Sequence, residues 1–254
     1  AKYIDVLERI LYNGLLSGIS LDGDRFFYPN PLASFGQHER SPWFSCACCP
    51  SNVSRFMPSI PGYVYAFADD KVYVNLYVQG TARIEAGSAK VQIEQTTEYP
   101  WKGEVKIRIV PEKPAQFSLY VRIPGWAQNQ PLPSDLYRYM EVPEEKPVLK
   151  VNGEAFPVKL EKGFVPISRR WEKNDTVELI LPMPVHRVLA HEAVKADQGL
   201  VAIERGPIVY CAEWPDNNGY VRNVMLENSS PLKAEVRPDL LKGVTVITGE
   251  TASY

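Results

Sequence analysis

The spacing of apolar residues in the first part of the chain predicts helix. In residues 2–17 the apolar side chains recur three or four positions apart, as they do in an amphipathic helix; they are Ile4, Leu7, Ile10 or Leu11, and Leu15. A second, shorter helix is predicted at 51–57, because Ser51 or Asn52 can cap its start and Pro58 limits its end.

After residue 62 the pattern changes to the two-residue alternation of β-strands. The alternating segments are 63–67, 72–78, 105–109, 117–123 and 177–181, and further strand-like segments follow at 200–203, 208–211 and 244–247. Pro and Gly stand between them, which is typical of an antiparallel β-sandwich. No helical pattern of about 12 residues separates them, so a parallel α/β sheet is not expected. The predicted fold class is mainly β, with helices only at the start.

The composition excludes two classes of partner. The 254 residues carry 28 Lys and Arg against 30 Asp and Glu, a formal net charge of -2. Non-specific binding to nucleic acid needs an excess of basic residues, which this chain lacks. No apolar run approaches the ~18 residues that suggest a membrane-spanning helix. The sequence therefore predicts neither a nucleic-acid nor a membrane partner.

The cysteines are the residues most suggestive of chemistry. Cys46, Cys48 and Cys49 lie within four positions, whereas Cys211 stands alone in a strand-like stretch and is predicted to be a small buried residue. A disulfide framework would space its cysteines along the chain. Thiolates favour zinc, but a structural zinc site takes four ligands, so three cysteines cannot complete one. The cluster predicts a metal site with at least one ligand elsewhere, provided that the backbone turns at Cys48 and Cys49.

The same cysteines precede a predicted helix start, where free backbone N–H groups and the helix dipole stabilise a thiolate. A Cys–His catalytic pair is a further option, for which His38 is the nearest histidine in sequence. His186 and His191 are predicted to be ordinary surface or interface residues. Three buried and inert cysteines at a domain junction remain the plainer alternative.

Around this cluster the sequence resembles glycoside hydrolase family 127, the β-L-arabinofuranosidase family. The most specific likeness is the run RSPWFSCACCPSN at 40–52, followed by Arg55 and GYVYA at 62–66. Weaker likenesses lie in order along the chain: Tyr12-Asn13, SLDG at 20–23, FYPNPL at 27–32, RIPGW at 122–126 and GPIVY at 206–210.

The resemblance implies a catalytic (α/α)6 barrel followed by β-sandwich domains. Residues 1–61 would be the C-terminal part of the barrel and would carry the cysteine cluster. Residues 62–187 would form a β-sandwich, and 188–254 an incomplete second sandwich or a continuation of the first. The chain would then be a fragment of a longer retaining glycosidase that releases L-arabinofuranose, or a related furanose, from plant glycans. The fragment alone would be inactive.

The resemblance also assigns roles to individual residues. Cys48 matches the family nucleophile, and Cys48 and Cys49 match two ligands of a zinc ion, with Cys46 beside the metal. Tyr28 matches a tyrosine that lines the sugar pocket. The family's Glu-x-Cys ligand pair does not occur in this sequence. That pair and the acid/base glutamate are therefore expected upstream of Ala1.

A non-catalytic carbohydrate-binding or assembly sandwich with a structural zinc site is the alternative from another functional class. Four tryptophans that could stack on sugars are also candidates for sandwich packing: Trp101, Trp126, Trp171 and Trp214. A cavity that converges on Cys48, rather than a row of exposed aromatic rings, would favour the enzyme. A homodimer formed through a β-sandwich is a further possibility, and both a cytoplasmic and a periplasmic location remain open.

Overall fold

The computed structural model of the protein describes residues 1–29, 31, 33–142 and 144–253. Positions 30 and 32 of the family-like segment 27–32 therefore lie outside the described residues. The helical elements are α1 (Lys2–Ile10), a π-helical turn (Leu11–Leu15), a 3-10 turn (Leu16–Gly18), α2 (Cys48–Phe56), a second 3-10 turn (Met57–Ser59) and α3 (Pro61–Val64). In the described part of the chain, no helix is long and apolar enough to span a membrane.

Helix α2 begins three residues before the predicted position. The side chains of Ser51 and Asn52 do not cap it; Ser51 Oγ donates to the Ala47 carbonyl at 2.7 Å, and Asn52 Nδ2 donates to the Cys48 carbonyl at 2.7 Å. These are bonds to the carbonyl four positions earlier, which polar residues form inside a helix. The predicted caps are thus wrong, and Cys48 and Cys49 occupy the first turn of the helix.

Eighteen strands follow within the described residues. In chain order they are β1 (Tyr65–Ala68), β2 (Lys71–Val74), β3 (Gly80–Ala86), β4 (Ala89–Thr97), β5 (Glu104–Pro111), β6 (Ala115–Arg122), β7 (Tyr137–Tyr139), β8 (Val148–Val151), β9 (Glu154–Phe156), β10 (Phe164–Trp171), β11 (Asp175–Ile180), β12 (Val185–Ala190), β13 (Ala202–Arg205), β14 (Ile208–Tyr210), β15 (Val224–Met225), β16 (Leu232–Arg237), β17 (Val244–Gly249) and β18 (Ala252–Ser253).

Two of the sheets form a sandwich. Sheet I has the order β1-β2-β6-β10 and sheet II the order β3-β4-β5-β11-β8-β9. Apolar side chains of both sheets, such as Leu119 on β6 and Ile107 on β5, are fully buried in one shared core. Each such side chain stabilises the fold by about 1.5–3 kcal/mol relative to exposure. The predicted mainly β fold is confirmed, although β2 and β6 pair in parallel within otherwise antiparallel sheets.

The remaining strands form sheet III, with the order β14-β13-β12-β7, and two small two-stranded ribbons. Among the described residues after α3, the helical segments are 3-10 turns of three or four residues. The absence of long helix there agrees with the alternation in the sequence. The domain division at residues 61 and 187 stays a prediction.

Helix α1 is joined to the sandwich by a buried ionic cluster. Arg122, at the end of β6, is completely buried and pairs with Asp5 at 2.6 Å and with Glu8. Tyr99 Oη donates to Glu8 Oε1 at 2.8 Å, and Trp126 Nε1 donates to Tyr99 Oη at 3.3 Å. The RIPGW segment thus forms the joint between the N-terminal helix and the sandwich.

Helix α1 also contacts sheet III. Arg9 Nη1 donates to Glu204 Oε2 on β13 at 2.9 Å, and the buried Glu204 accepts a second hydrogen bond from Tyr139 on β7. Arg9 Nη2 further donates to the Pro131 carbonyl at 2.7 Å. The same helix is therefore fixed against both the sandwich and sheet III.

Candidate functional site

The cysteine pair lies in a cleft of 630 Å³ between the end of the N-terminal helix and α2. Its walls are formed by Ile10, Gly14, Leu15, Gly18, Phe26, Phe27, Tyr28, Cys48, Cys49, Asn52, Val53, Arg55, Phe56 and Ser59. A cleft of this size, mainly apolar and with a few polar groups, is typical of small-molecule sites. Three residues singled out in the sequence, Tyr28, Cys48 and Cys49, meet in it.

The first turn of α2 brings two thiols together. The Sγ atoms of Cys48 and Cys49 lie 3.8 Å apart. Adjacent residues of an extended strand would point to opposite faces, but the helical turn places these two side by side. The backbone turn on which the sequence interpretation depended is therefore present.

Cys46 and Tyr28 complete the group around Cys48. Hydrogen bonding to Cys49, and less strongly to Tyr28 and Cys46, lowers the pKa of the Cys48 thiol. Partial burial raises the pKa of the Cys49 thiol, and the neighbouring Cys48 raises it further. Hydrogen bonding to Cys48 raises the pKa of the Tyr28 phenol. Cys48 is therefore the cysteine of the pair that its surroundings favour as a thiolate.

Polar groups continue along the same face of α2. Asn52 lies one turn after Cys48, and its Oδ1 accepts a hydrogen bond from Arg55 Nη2 at 2.5 Å. Both side chains line the cleft. The opposite wall includes Gly14 and Leu15, which sequence reasoning did not select because nothing in their local pattern marks them as part of a site.

The cysteine pair fits part of a zinc site. At a Zn–S distance of about 2.3 Å and tetrahedral geometry, two sulfur ligands lie about 3.8 Å apart. The Cys48–Cys49 separation of 3.8 Å matches this value. Among the described residues, no group of three or more His, Cys, Asp or Glu side chains could hold a metal ion. The separation of the two sulfurs is thus compatible with two ligand positions of a tetrahedral site, and the ligand roles of Cys48, Cys49 and Cys46 stay predictions.

The other candidate residues have different surroundings. His38 Nε2 is hydrogen-bonded to the Pro29 carbonyl at 2.8 Å, and its ring stacks on Phe27, so its contacts are not those of a Cys–His pair. His191 is exposed, as predicted. Cys211 is also exposed, so its predicted burial is wrong. His186, predicted to be a surface or interface residue, is buried, which excludes only the surface position.

The buried His186 should make the fold sensitive to acid. Its ring stacks on Tyr139 at 4.0 Å between centroids; burial lowers its pKa, and Glu141 offsets part of this. As the pH falls below ~6.5, the unfolded chain gains a proton before the folded one, so stability should fall, by at most ~1.4 kcal/mol per pH unit. Urea unfolding at about pH 7.5 and about pH 5.5 should show a smaller loss for His186→Gln than for the natural protein. An equal loss in both proteins would contradict this assignment.

The four tryptophans do not form the row of exposed rings that a non-catalytic carbohydrate-binding site would have. Trp126 and Trp171 are buried, and Trp171 Nε1 donates to the Phe117 carbonyl at 3.1 Å. Trp101 and Trp214 are half-buried. Packing within the fold therefore accounts for two of the four candidates, and the cavity that includes Cys48 is the better-defined site.

Comparison with known domains decides the family. Three profiles of one family match in chain order: the catalytic domain of GH127 β-L-arabinofuranosidase over residues 1–62, the GH127 middle domain over 71–183, and the C-terminal domain of glycoside hydrolase family 127 over 185–245. The chain belongs to glycoside hydrolase family 127.

Nearly the whole of this chain aligns with named members of family 127. It is 33% identical over 265 residues to the non-reducing end β-L-arabinofuranosidase of Bifidobacterium longum subsp. longum, covering 97% of this chain and 37% of that protein. The solved structure of the GH127 β-arabinofuranosidase BT3674 superposes with a TM-score of 0.94 at 49% identity, covering 99% of this chain and 40% of that one. The crystal structure of Ara127N-Se, a GH127 β-L-arabinofuranosidase from Geobacillus stearothermophilus T6, gives 0.86 at 41% identity, with 98% and 38% covered. The chain thus spans 37–40% of the length of these family-127 relatives.

Proposed function

We propose that this chain is the C-terminal part of a longer retaining glycoside hydrolase that releases L-arabinofuranose, or a related furanose, from plant glycans. The observation that carries the proposal is the Cys48 thiol, which lies in the first turn of α2 and opens into the cleft beside Cys49. Family membership and the names of the relatives support the substrate class. The 254-residue chain by itself is proposed to be inactive.

Cys48 is the proposed nucleophile. Its sulfur attacks the anomeric carbon, so that the C–S bond forms while the bond from that carbon to the leaving oxygen breaks. The leaving oxygen takes a proton from an acid that we place upstream of Ala1. Water then attacks the same carbon, the former acid accepts a proton from it, and the sulfur leaves as thiolate. Two displacements at one carbon retain its configuration.

The local backbone suits a reactive thiolate. Cys48 and Cys49 are the first two residues of the nine-residue helix α2. Their N–H groups have no partner within the helix, and the helix dipole adds positive potential at this end. Both effects favour a negative sulfur over a neutral one.

Zinc is proposed as the cofactor of the complete site. Cys48 and Cys49 would hold it, and the remaining ligands are expected from the part of the polypeptide upstream of this chain. When bound, zinc would stabilise the thiolate form of its sulfur ligands. Cys46, which contributes to the lowered pKa of Cys48, would orient that sulfur or serve as a further ligand.

Cys49→Ala is expected to remove most of the bound zinc from the full-length protein. The variant loses one of two adjacent sulfur ligands, and the remaining ligands cannot complete a tetrahedral site. Metal analysis after exhaustive dialysis should show about one zinc per chain in the natural protein and far less in Cys49→Ala. Cys211→Ala is the matched control, because it removes an exposed cysteine of the C-terminal part. Equal zinc content in Cys49→Ala and the control would contradict the assignment.

Tyr28, Asn52 and Arg55 are the proposed contacts to sugar hydroxyl groups. All three line the cleft that also contains Cys48. A phenol, an amide and a guanidinium supply both donors and acceptors, which a polyhydroxylated ring requires. Their position on two sides of Cys48 would hold the sugar over the sulfur.

The proposal is tested by incubating the full-length protein with an aryl β-L-arabinofuranoside and following the first anomer released by NMR. A retaining enzyme should release the β-anomer before the product equilibrates. A protein that binds the glycoside without cleaving it would instead support the non-catalytic carbohydrate-binding alternative. Release of the opposite anomer would exclude a covalent intermediate on Cys48.

A further inference from the structure

We infer that Asn13 is a positioning residue of the cleft, because its side-chain amide fixes the π-helical turn against strand β14 of sheet III. The turn, Leu11–Leu15, carries Gly14 and Leu15. These two residues form part of the lining of the cleft, and Cys48 lines the same cleft. This inference rests on the proposed function only in its consequence for catalysis, since the contacts themselves are independent of it.

The amide of Asn13 bonds to two parts of the chain at once. Its Nδ2 donates to the Pro207 carbonyl at 2.9 Å and to the Arg9 carbonyl at 3.0 Å. Its Oδ1 accepts the backbone N–H of Val209 at 2.8 Å. Since β14 is an edge strand of sheet III, the amide takes the place that a neighbouring strand would occupy.

The π-helical turn explains why a side chain is needed at this point. In such a turn the backbone bonds span five residues instead of four, and π-helical turns are rare and frequently occur at functional sites. The Asn13 side chain donates to Arg9, the carbonyl four positions earlier, where an α-helix would use a backbone N–H. It therefore stabilises the wider turn and ties it to β14 with the same group.

Other anchors act at other points: within the turn, Leu11 is buried and Tyr12 packs against the sandwich core, whereas Asn13 holds the turn to β14. Arg9 fixes the preceding turn through Glu204 and Pro131, and the ionic cluster of Arg122 acts earlier still in α1. Gly14 and Leu15 come directly after Asn13, so their place in the wall depends on the local anchor. A shift of about 1 Å in a group that positions substrate can cost ~100-fold in rate.

The test compares Asn13→Ala and Asn13→Asp with the natural full-length enzyme on an aryl β-L-arabinofuranoside. We expect kcat/KM to fall about tenfold or more, with KM rising more than kcat falls, because a displaced wall weakens contacts to the sugar in both ground and transition states. A variant that is only less stable would keep its KM, and it would also keep its kcat once the rate is divided by the concentration of folded enzyme.

Asn152→Ala is the matched control. Asn152 also uses both ends of its amide, donating to Asp175 Oδ1 at 2.9 Å and accepting from the Thr176 N–H at 2.8 Å, but in the sandwich. Its φ of 53° adds backbone strain to the alanine variant. It should therefore be less stable than the natural protein and keep the natural kcat and KM.

Hydrogen exchange of the full-length protein gives a readout that needs no catalysis. Amides of the π-helical turn and of β14 should exchange faster in Asn13→Asp, whose carboxylate repels the two carbonyls, and unchanged protection there would overturn the inference. A kcat/KM within twofold of the natural value would overturn it as well. If Asn13→Ala does not fold, Asn13→Asp decides. If the natural enzyme cleaves no furanoside, the proposed function fails, while the exchange data still decide the role of Asn13.

Discussion

Replacement of Cys48 by alanine is expected to lower kcat of the full-length enzyme on an aryl β-L-arabinofuranoside by a factor on the order of 10⁴ or more. In the proposed mechanism the variant lacks the atom that displaces the leaving group, and the remaining groups only bind and polarise the substrate. Cys48→Ser should lose nearly as much, because its hydroxyl has a far higher pKa and is scarcely ionised in the same surroundings.

The control for Cys48 is Cys211→Ala, which removes an exposed cysteine from the C-terminal part of the chain. It should retain the natural kcat. Steady-state and single-turnover kinetics on both variants separate the loss of chemistry from a loss of substrate binding. Turnover by Cys48→Ala close to the natural rate would reduce Cys48 to a structural metal ligand.

Arg122→Met is expected to lower the free energy of unfolding by about 3–5 kcal/mol at neutral pH. Arg122 is fully buried, and the Glu8 side chain with which it pairs is only 2% exposed. Without the guanidinium, a carboxylate would remain buried with no opposite charge, and that costs far more than the ion pair itself contributes. Urea unfolding of the 254-residue chain measures the difference.

Two further variants test the cause of that loss. Arg108→Met breaks the partly exposed pair with Glu94 and should cost about 1 kcal/mol or less. Adding Glu8→Gln to Arg122→Met should recover part of the loss, because the unpaired charge is then removed. A cost for Arg122→Met as small as that for Arg108→Met would contradict the role of the buried cluster.

The sequence predicted those strands whose inward side chains are regularly apolar. Strand β6 is an example, since Phe117, Leu119 and Val121 alternate with outward residues and are completely buried. Strand β10 was missed because Phe164 and Val165 are both buried and Pro166 follows, so the two-residue pattern is broken at its start. Local alternation is therefore a reliable signal only where one face of a strand is uniformly apolar.

Strands β3 and β4 were missed for a different reason. Several of their inward positions are small or polar, including Ala86, Gln95 and Thr97, which are nevertheless buried. Gln95 Nε2 is satisfied by the Tyr65 hydroxyl and by the Leu76 carbonyl, at 2.9 and 3.2 Å. These partners come from elsewhere in the chain, so a local pattern does not reveal them.

The sequence pattern misplaces the start of α2, because Ser51 and Asn52 are typical capping residues but lie inside the helix. The signal that could have placed it is Pro50, which is tolerated in the first turn of a helix. With that signal, Cys48 and Cys49 would have been assigned to the helix itself. The chemical expectation survives, because residues of the first turn still have unpaired N–H groups.

The candidate site could be predicted only in part. The cysteine pair and Tyr28 were recognised from their motifs, and the structure brings them into one cleft. The wall that carries Gly14 could not be predicted, because its position depends on a hydrogen bond between residues 194 positions apart, Asn13 and Pro207. The surroundings of His186 have the same origin, since the pairing of β12 with β7 brings its ring against Tyr139.

The most direct test of the central claim is identification of the residue that becomes bonded to the sugar. The full-length enzyme is treated with an arabinofuranoside analogue that carries an electrophile at the anomeric position, and the digested protein is sequenced by mass spectrometry. The account predicts that the added mass lies on Cys48 and that labelling is lost in Cys48→Ala. Attachment to a carboxylate, with Cys48 unmodified, would contradict it.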